Sequence, residues 1–237
     1  MTTLARLRWR LWSRPAAVRR WRGMPLLRRW HLTPLDDAIP WMPDAAVEWL
    51  HPRITSDMRV FEWGAGGSTL FFAARAASVT TIEHDAEWFS HVERALRKHA
   101  ATNVTLRLSP PVPVPVVPEM YRSTDPRYVD LSFEAYARTI EAFPQECFDV
   151  VVVDGRARPG CMKHAVRRVR PGGCLVLDNS DRDVYNAGRP FVAGWTEFVF
   201  AGEEIYYGIW TQTTVWVSPD QAESSPDVSQ QAGDGTS

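Results

Sequence analysis

The chain has 237 residues, an apolar content of 45% and a formal charge of −1 at neutral pH. That length suits one large domain, or one domain with extensions, and no stretch reaches the roughly 18 apolar residues of a membrane span. The cysteines Cys147, Cys161 and Cys174 have no metal-knuckle spacing and fit a reducing, cytoplasmic setting.

The small net charge hides segregation. Residues 1–30 carry nine Arg and no acid, whereas residues 218–237 carry Asp220, Glu223, Asp227 and Asp234 and no base. The centre is therefore mildly acidic, which argues against nucleic acid as a partner. Three organisational units follow: an Arg/Trp-rich arm (1–30), an α/β domain (31–217), and a Ser-, Gln- and Asp-rich tail expected to be disordered (218–237). In the arm, Trp9, Trp12, Trp21 and Trp30 alternate with Arg and Leu, and Pro15 and Pro25 interrupt it. Three readings of the arm stand open. It is a loosely packed extension, a peripheral contact with an anionic membrane surface, or an organellar targeting peptide.

Residues 43–50 suit a short helix with Asp44 in its first turn. From residue 59 the pattern alternates between strand and helix. Residues 59–62 are the first strand and 69–77 its helix; 79–82 are the second strand. Residues 86–101 follow as a helix, with Phe89, Val92, Leu96 and His99 at near-helical spacing. Residues 104–108 are the third strand. Residues 109–118 hold five prolines and are a loop, since proline cannot sit in a central strand. Residues 131–143 read as helix and 148–153 as the fourth strand. Residues 161–169 are a helix closed by Pro171-Gly172-Gly173, and 174–177 the fifth strand. Residues 191–201 and 205–217 are two longer strands joined by a turn near Gly202. The expected fold is α/β and Rossmann-like: a doubly wound, mostly parallel seven-stranded sheet with an antiparallel closing hairpin.

In such a sheet ligands bind at the carboxyl ends of the strands. Glu62, Glu83, Asp154, Asp178 and Asn179 each follow an apolar strand at that rim. The densest signal is Glu62-Trp63-Gly64-Ala65-Gly66-Gly67-Ser68-Thr69. It reads as a strand end, a tight glycine turn that lets a ligand approach the backbone, and a helix start with hydroxyls to accept free N–H groups. Glu83, 21 positions after Glu62, is placed to accept ribose hydroxyls. Thr69 stands where a dinucleotide turn has its third glycine, and the charge of Glu62 would repel a pyrophosphate. Both features favour a cofactor bearing an ammonium group over a nicotinamide dinucleotide.

These residues resemble the class I S-adenosylmethionine-dependent methyltransferases over roughly residues 55–217. The resemblance implies a cofactor, S-adenosyl-L-methionine, whose methionine part is held by Glu62 and the Gly64–Ala65–Gly66–Ser68 turn. It places the ribose on Glu83 with His84 beside the adenosine. The third strand ends in Leu108-Ser109 without an acid, so the adenine contact stays unassigned. Asp154, followed 24 and 25 positions later by Asp178 and Asn179, is further similar to the divalent-cation site of catechol-type and caffeoyl-coenzyme-A-type O-methyltransferases. Mg²⁺ or another divalent cation is then expected on Asp154, Asp178 and Asn179. Those enzymes carry a lysine shortly after the first aspartate, where this chain has Gly155-Arg156-Ala157-Arg158. Without a metal, Asp154 is the candidate general base.

The expected activity is O-methylation of a small-molecule or saccharide-like acceptor. A nicotinamide oxidoreductase and a non-catalytic binding module are the alternatives. Tyr121, Arg127, Tyr128, Arg182 and Tyr185 lie in loops over the rim and are candidates to line the acceptor pocket. His164 reads as a surface residue. The sequence leaves the oligomeric state open.

Overall fold

The computed structural model describes residues 34–204 and 209–220. The arm and most of the tail lie outside the described residues. Nine strands are described: β1 (Arg59–Trp63), β2 (Ser78–Glu83), β3 (Val104–Leu108), β4 (Val112–Pro113), β5 (Leu131–Ser132), β6 (Phe148–Val153), β7 (Val169–Leu177), β8 (Thr196–Glu203) and β9 (Trp210–Val217). The helices are α1 (Pro34–Asp37), α2 (Asp44–Leu50), α3 (Gly67–Ala73), α4 (Ala86–Lys98), α5 (Glu134–Arg138) and α6 (Arg158–Ala165).

Seven strands form one sheet in the order β3-β2-β1-β6-β7-β9-β8. The pairs from β3 to β7 are parallel, and β9 is antiparallel to both β7 and β8. The chain winds outward from β1 to β3, then returns to the other side of β1 through β6. The crevice between the ends of β1 and β6 is the switch point where such sheets bind ligands.

Both faces of the sheet are covered, and the period of two along each strand assigns every side chain to one of them. Phe61, Trp63, Val151, Val153, Leu175 and Leu177 pack against Tyr136, Ile140, Cys161 and Met162 of the α5–α6 layer. Val60, Val150, Val152 and Val176 pack against Ala46, Val47, Leu50, Phe71 and Phe72 of the α2–α3 layer. Glu62 has the parity of Val60 and so points under α3.

Several boundaries differ from the sequence expectation. The 109–118 loop contains β4, which pairs antiparallel with β5 in a separate two-stranded ribbon. Pro113 is tolerated there because such a strand has a free edge. Residues 131–143 divide into β5, α5 and a 3₁₀ turn, Thr139–Ala142. The Pro171-Gly172-Gly173 stretch lies inside β7, where the register against β6 shifts between Phe148 and Val150. Residues 191 and 192 end the 3₁₀ segment Asp183–Val192, and β8 begins only at Thr196. Gly202 is not at the turn; it pairs with Thr211 inside the hairpin. Among the described residues no helix is long and apolar enough to cross a membrane, and Cys147, Cys161 and Cys174 are free thiols.

Candidate active site

β1 ends at Trp63, and the chain reverses through Gly64, whose φ of 95° suits glycine and few other residues. A Cβ there would stand 2.7 Å from the Asp154 carbonyl oxygen, so the turn rests against the end of β6. Gly64 N–H donates to the Ile82 carbonyl (2.9 Å), Ala65 N–H to Glu83 Oε2 (3.2 Å) and Gly66 N–H to Thr69 Oγ1 (2.9 Å). Gly66 differs from Gly64. Its backbone is extended, and among the described residues a Cβ on it would meet nothing within 4 Å. The turn is therefore closed underneath and open above Gly66.

Glu62 is fully buried. The Ser68 hydroxyl donates to Oε1 and the Thr69 hydroxyl to Oε2 (2.6 Å). The carboxyl thus ties the end of β1 to the first turn of α3. Burial pushes its pKa up to about 7, against the opposing pull of the Ser68 and Thr69 hydroxyls. Glu62 and Ser68 are bonded to each other, so both act on the shape of the turn.

Glu83 is 2% exposed and accepts main-chain N–H groups from His84 (2.7 Å), Asp85 (2.9 Å) and Ala65. It therefore joins the end of β2 to the glycine turn. The His84 ring meets Tyr128, Phe133 and Tyr136 edge-on, with centroids 5.3, 5.5 and 6.1 Å away. Arg156, from the turn after β6, reaches both His84 Nε2 (3.4 Å) and Asp125 Oδ2 (3.1 Å). Asp125 also holds Arg127 (2.7 Å). The loop after β3 is thereby fastened across the rim at Asp125 and Tyr128. Trp88, at the start of α4, donates its indole N–H to the Ala65 carbonyl (2.7 Å) and leaves its ring partly exposed beside the turn.

Asp154 and Asp178, from adjacent strands, come together as the sequence implied. Burial raises both pKa values. Asp154 is raised further by its neighbour Asp178, while Arg158 opposes the rise in each. Thr213 donates to Asp178 Oδ1 (2.6 Å). The Asp154 side chain keeps 22% exposure against 3% for Asp178, so Asp154 is the carboxyl that faces the crevice.

These donors do not fit a divalent cation. Arg158 Nη2 bonds Asp154 Oδ1 (3.0 Å) and Nη1 lies 4.0 Å from Asp178 Oδ2, which puts a guanidinium where the metal was expected. Asn179, the third expected ligand, directs its amide N–H₂ to Thr211 Oγ1 (2.9 Å). Among the described residues no group of three or more His, Cys, Asp or Glu is disposed to hold a metal.

The other candidates separate. Tyr128 reaches the rim. Tyr121 faces away from it and bonds His164 Nε2 (2.9 Å), whose Nδ1 meets Glu141 (2.9 Å). The His164 side chain is 8% exposed, because α6 turns it into the packing with Tyr121, and the residue as a whole is half-buried where a surface position was expected. Tyr185 is buried beneath the Arg158 guanidinium, 5.0 Å from its ring centroid. Arg182 is exposed. Sequence reasoning missed Trp88 and Asp125 as rim residues and noted Arg156 only within the run that follows Asp154. Arg156 had one usable signal, its place two residues after Asp154.

Solved structures with the same architecture give this geometry a setting. The O-methyltransferase TomG from Streptomyces achromogenes, involved in tomaymycin synthesis and in complex with S-adenosylmethionine, superposes with a TM-score of 0.53. It is 20% identical, and the match spans 85% of this chain and 98% of that one. The chain has the class I methyltransferase fold. The cofactor-bound Rv0187 from MTB shares this methyltransferase fold with a TM-score of 0.53 at 17% identity, over 86% of this chain and 89% of that one. An rRNA methylase from Streptococcus thermophilus shares it at 0.51 and 12% identity, over 75% and 96%. No protein-family profile and no curated protein sequence matches the chain. Within the methyltransferase fold, the glycine turn, Glu83 and Asp154 occupy the ends of β1, β2 and β6 around one crevice.

Proposed function

We propose that the chain is an S-adenosyl-L-methionine-dependent methyltransferase acting on an oxygen of a small-molecule or saccharide-like acceptor. The observation that carries this reading is the glycine turn at the switch point, closed beneath by Glu62 and open above Gly66, with the Glu83 carboxylate bonded to its edge. Space over a bare backbone next to a buried carboxylate fits a nucleoside cofactor. Gly64, Ala65 and Gly66 form its floor, and Glu83 with His84 flanks the ribose side. Glu62 and Ser68 keep the floor in shape from below. S-adenosylmethionine bound here supplies an electrophilic methyl group on a sulfonium.

The remaining work belongs to the chain's own side chains. Asp154 faces the crevice and accepts the proton of the acceptor hydroxyl. Arg158 and Asp178 hold its orientation. The Asp125–Arg156–His84 contacts keep the β3 loop across the rim, which limits water and orients the acceptor. An O-methyltransferase among the structural neighbours supports an oxygen acceptor, and the mildly acidic domain speaks against RNA. Calorimetric titration with S-adenosylmethionine, with NAD as the control, tests the reading. Saturable binding of the former alone is expected; binding of NAD alone would refute it.

A further inference from the structure

Arg158 is out of place by ordinary rules. It opens α6, where the helix dipole favours anions over cations. It is also only 6% exposed, and a buried guanidinium needs acceptors for its five N–H groups. It has them. Nε donates to the Gly155 carbonyl (3.1 Å) and Nη1 to the Asp178 carbonyl, with Asp178 Oδ2 at 4.0 Å. Nη2 donates to the Asp154 carbonyl (3.3 Å) and Oδ1 (3.0 Å). Ala157, left-handed at φ 47°, folds residue 158 back over residues 154 and 155. That conformation costs about 1 kcal/mol or more in a residue with a Cβ, so the surrounding contacts hold it in place.

We propose that Arg158 is a built-in counter-ion replacing a divalent cation between Asp154 and Asp178, so that this rim works without metal. Two neighbouring, largely enclosed carboxyls do not readily both ionise unless a cation stands by. A guanidinium supplies that charge permanently and in a forked shape suited to two carboxyls. Because it is buried and spends four hydrogen bonds on residues 154, 155 and 178, Arg158 orients Asp154 and does not reach the acceptor substrate; it is a positioning residue. A divalent ion approaching the pair would meet a fixed positive charge and would have to displace it. Without the guanidinium the same place becomes a pocket of carboxylate and carbonyl oxygens, the donors that Mg²⁺ and Mn²⁺ take. This inference concerns the rim itself and does not rest on methyl transfer.

The test compares wild type with Arg158→Gln, which removes the charge and keeps an amide donor for the backbone carbonyls. Both are titrated with MgCl₂ and MnCl₂ by calorimetry and followed by thermal unfolding. Wild type is expected to bind neither ion saturably and to melt at the same temperature with or without them. R158Q is expected to gain single-site affinity of about tenfold or more, equivalent to ~1.4 kcal/mol. Its melting temperature should rise with the ion, and the gain should vanish in R158Q/D154N. An R158Q protein recovered in folded form only when Mg²⁺ or Mn²⁺ is present would be the same result. The proposal is overturned if wild type binds one divalent ion and D154N abolishes that binding. It is equally overturned if R158Q folds without gaining affinity, keeps its gain in R158Q/D154N, or stays unfolded with the ions present.

Discussion

Glu62→Gln isolates the buried carboxyl beneath the glycine turn. Gln has the same shape and cannot ionise. The carboxyl titrates at 4.5 in its ordinary state and at about 7 when folded, because burial disfavours its charge. A group that holds its proton more tightly in the folded state stabilises the fold fully below pH 4.5 and loses that contribution as pH rises through about 7. The difference in proton affinity corresponds to ~3 kcal/mol, most of which is lost between about pH 5 and 8. Full burial leaves no solvent screening to discount. Urea unfolding of wild type and E62Q across that range measures it. The stability of wild type minus that of E62Q should fall by about 2–3 kcal/mol as pH rises. Asp154, Asp178 and the other titrating groups occur in both proteins and largely cancel in the difference. A difference constant to within about 0.5 kcal/mol would refute the reasoning, because Glu62 would then be ionised throughout, held by Ser68 and Thr69.

The two glycines of the turn should respond in opposite ways. G64A forces a Cβ against the Asp154 carbonyl at a positive φ, so unfolding free energy should drop by at least about 1–2 kcal/mol. G66A meets no neighbour among the described residues and should cost about 1 kcal/mol or less as a helix-cap change, yet weaken S-adenosylmethionine by about tenfold or more in calorimetry, ~1.4 kcal/mol. A G66A protein that binds the cofactor normally would remove the open face as its seat. D154N keeps a group that can bond Asp178 and Arg158, so its thermal stability should stay near wild type. Turnover should fall about 10²–10⁴-fold with cofactor affinity unchanged; activity near wild type would take the proton from Asp154.

The α/β alternation was legible because the buried strands are apolar runs broken by acids, as in Phe148–Val153 followed by Asp154. Strand ends alone place Asp154 and Asp178 at one rim, and the structure pairs them. Glu62 was harder. Its position in sequence suits a ligand contact, and only the side-chain parity of β1, combined with the path of α3 above it, reveals Ser68 and Thr69 as its partners. Arg158 was legible as a departure from a lysine pattern but not as a counter-ion, because its reach depends on one left-handed residue, Ala157. The hairpin boundaries failed because an exposed strand such as β8 carries little alternation, so nothing in residues 191–201 marks where pairing starts. His164 is a lone residue on a short helix, and nothing local announces Tyr121, 43 positions away, as its partner.

The free thiols of Cys161 and Cys174 lie in opposite layers of the sheet. Cys161 packs with the α5–α6 side and Cys174 with the α2–α3 side. Burial raises both, Cys174 to about 12, so neither reacts as a thiolate while its layer stays closed. Half-buried Cys147 is more accessible. The molecule therefore carries one silent reporter per layer. Alkylation rates resolved by peptide would tell whether the two halves of the core open together or one at a time, and cofactor seated over β1 should slow whichever opening exposes the glycine turn.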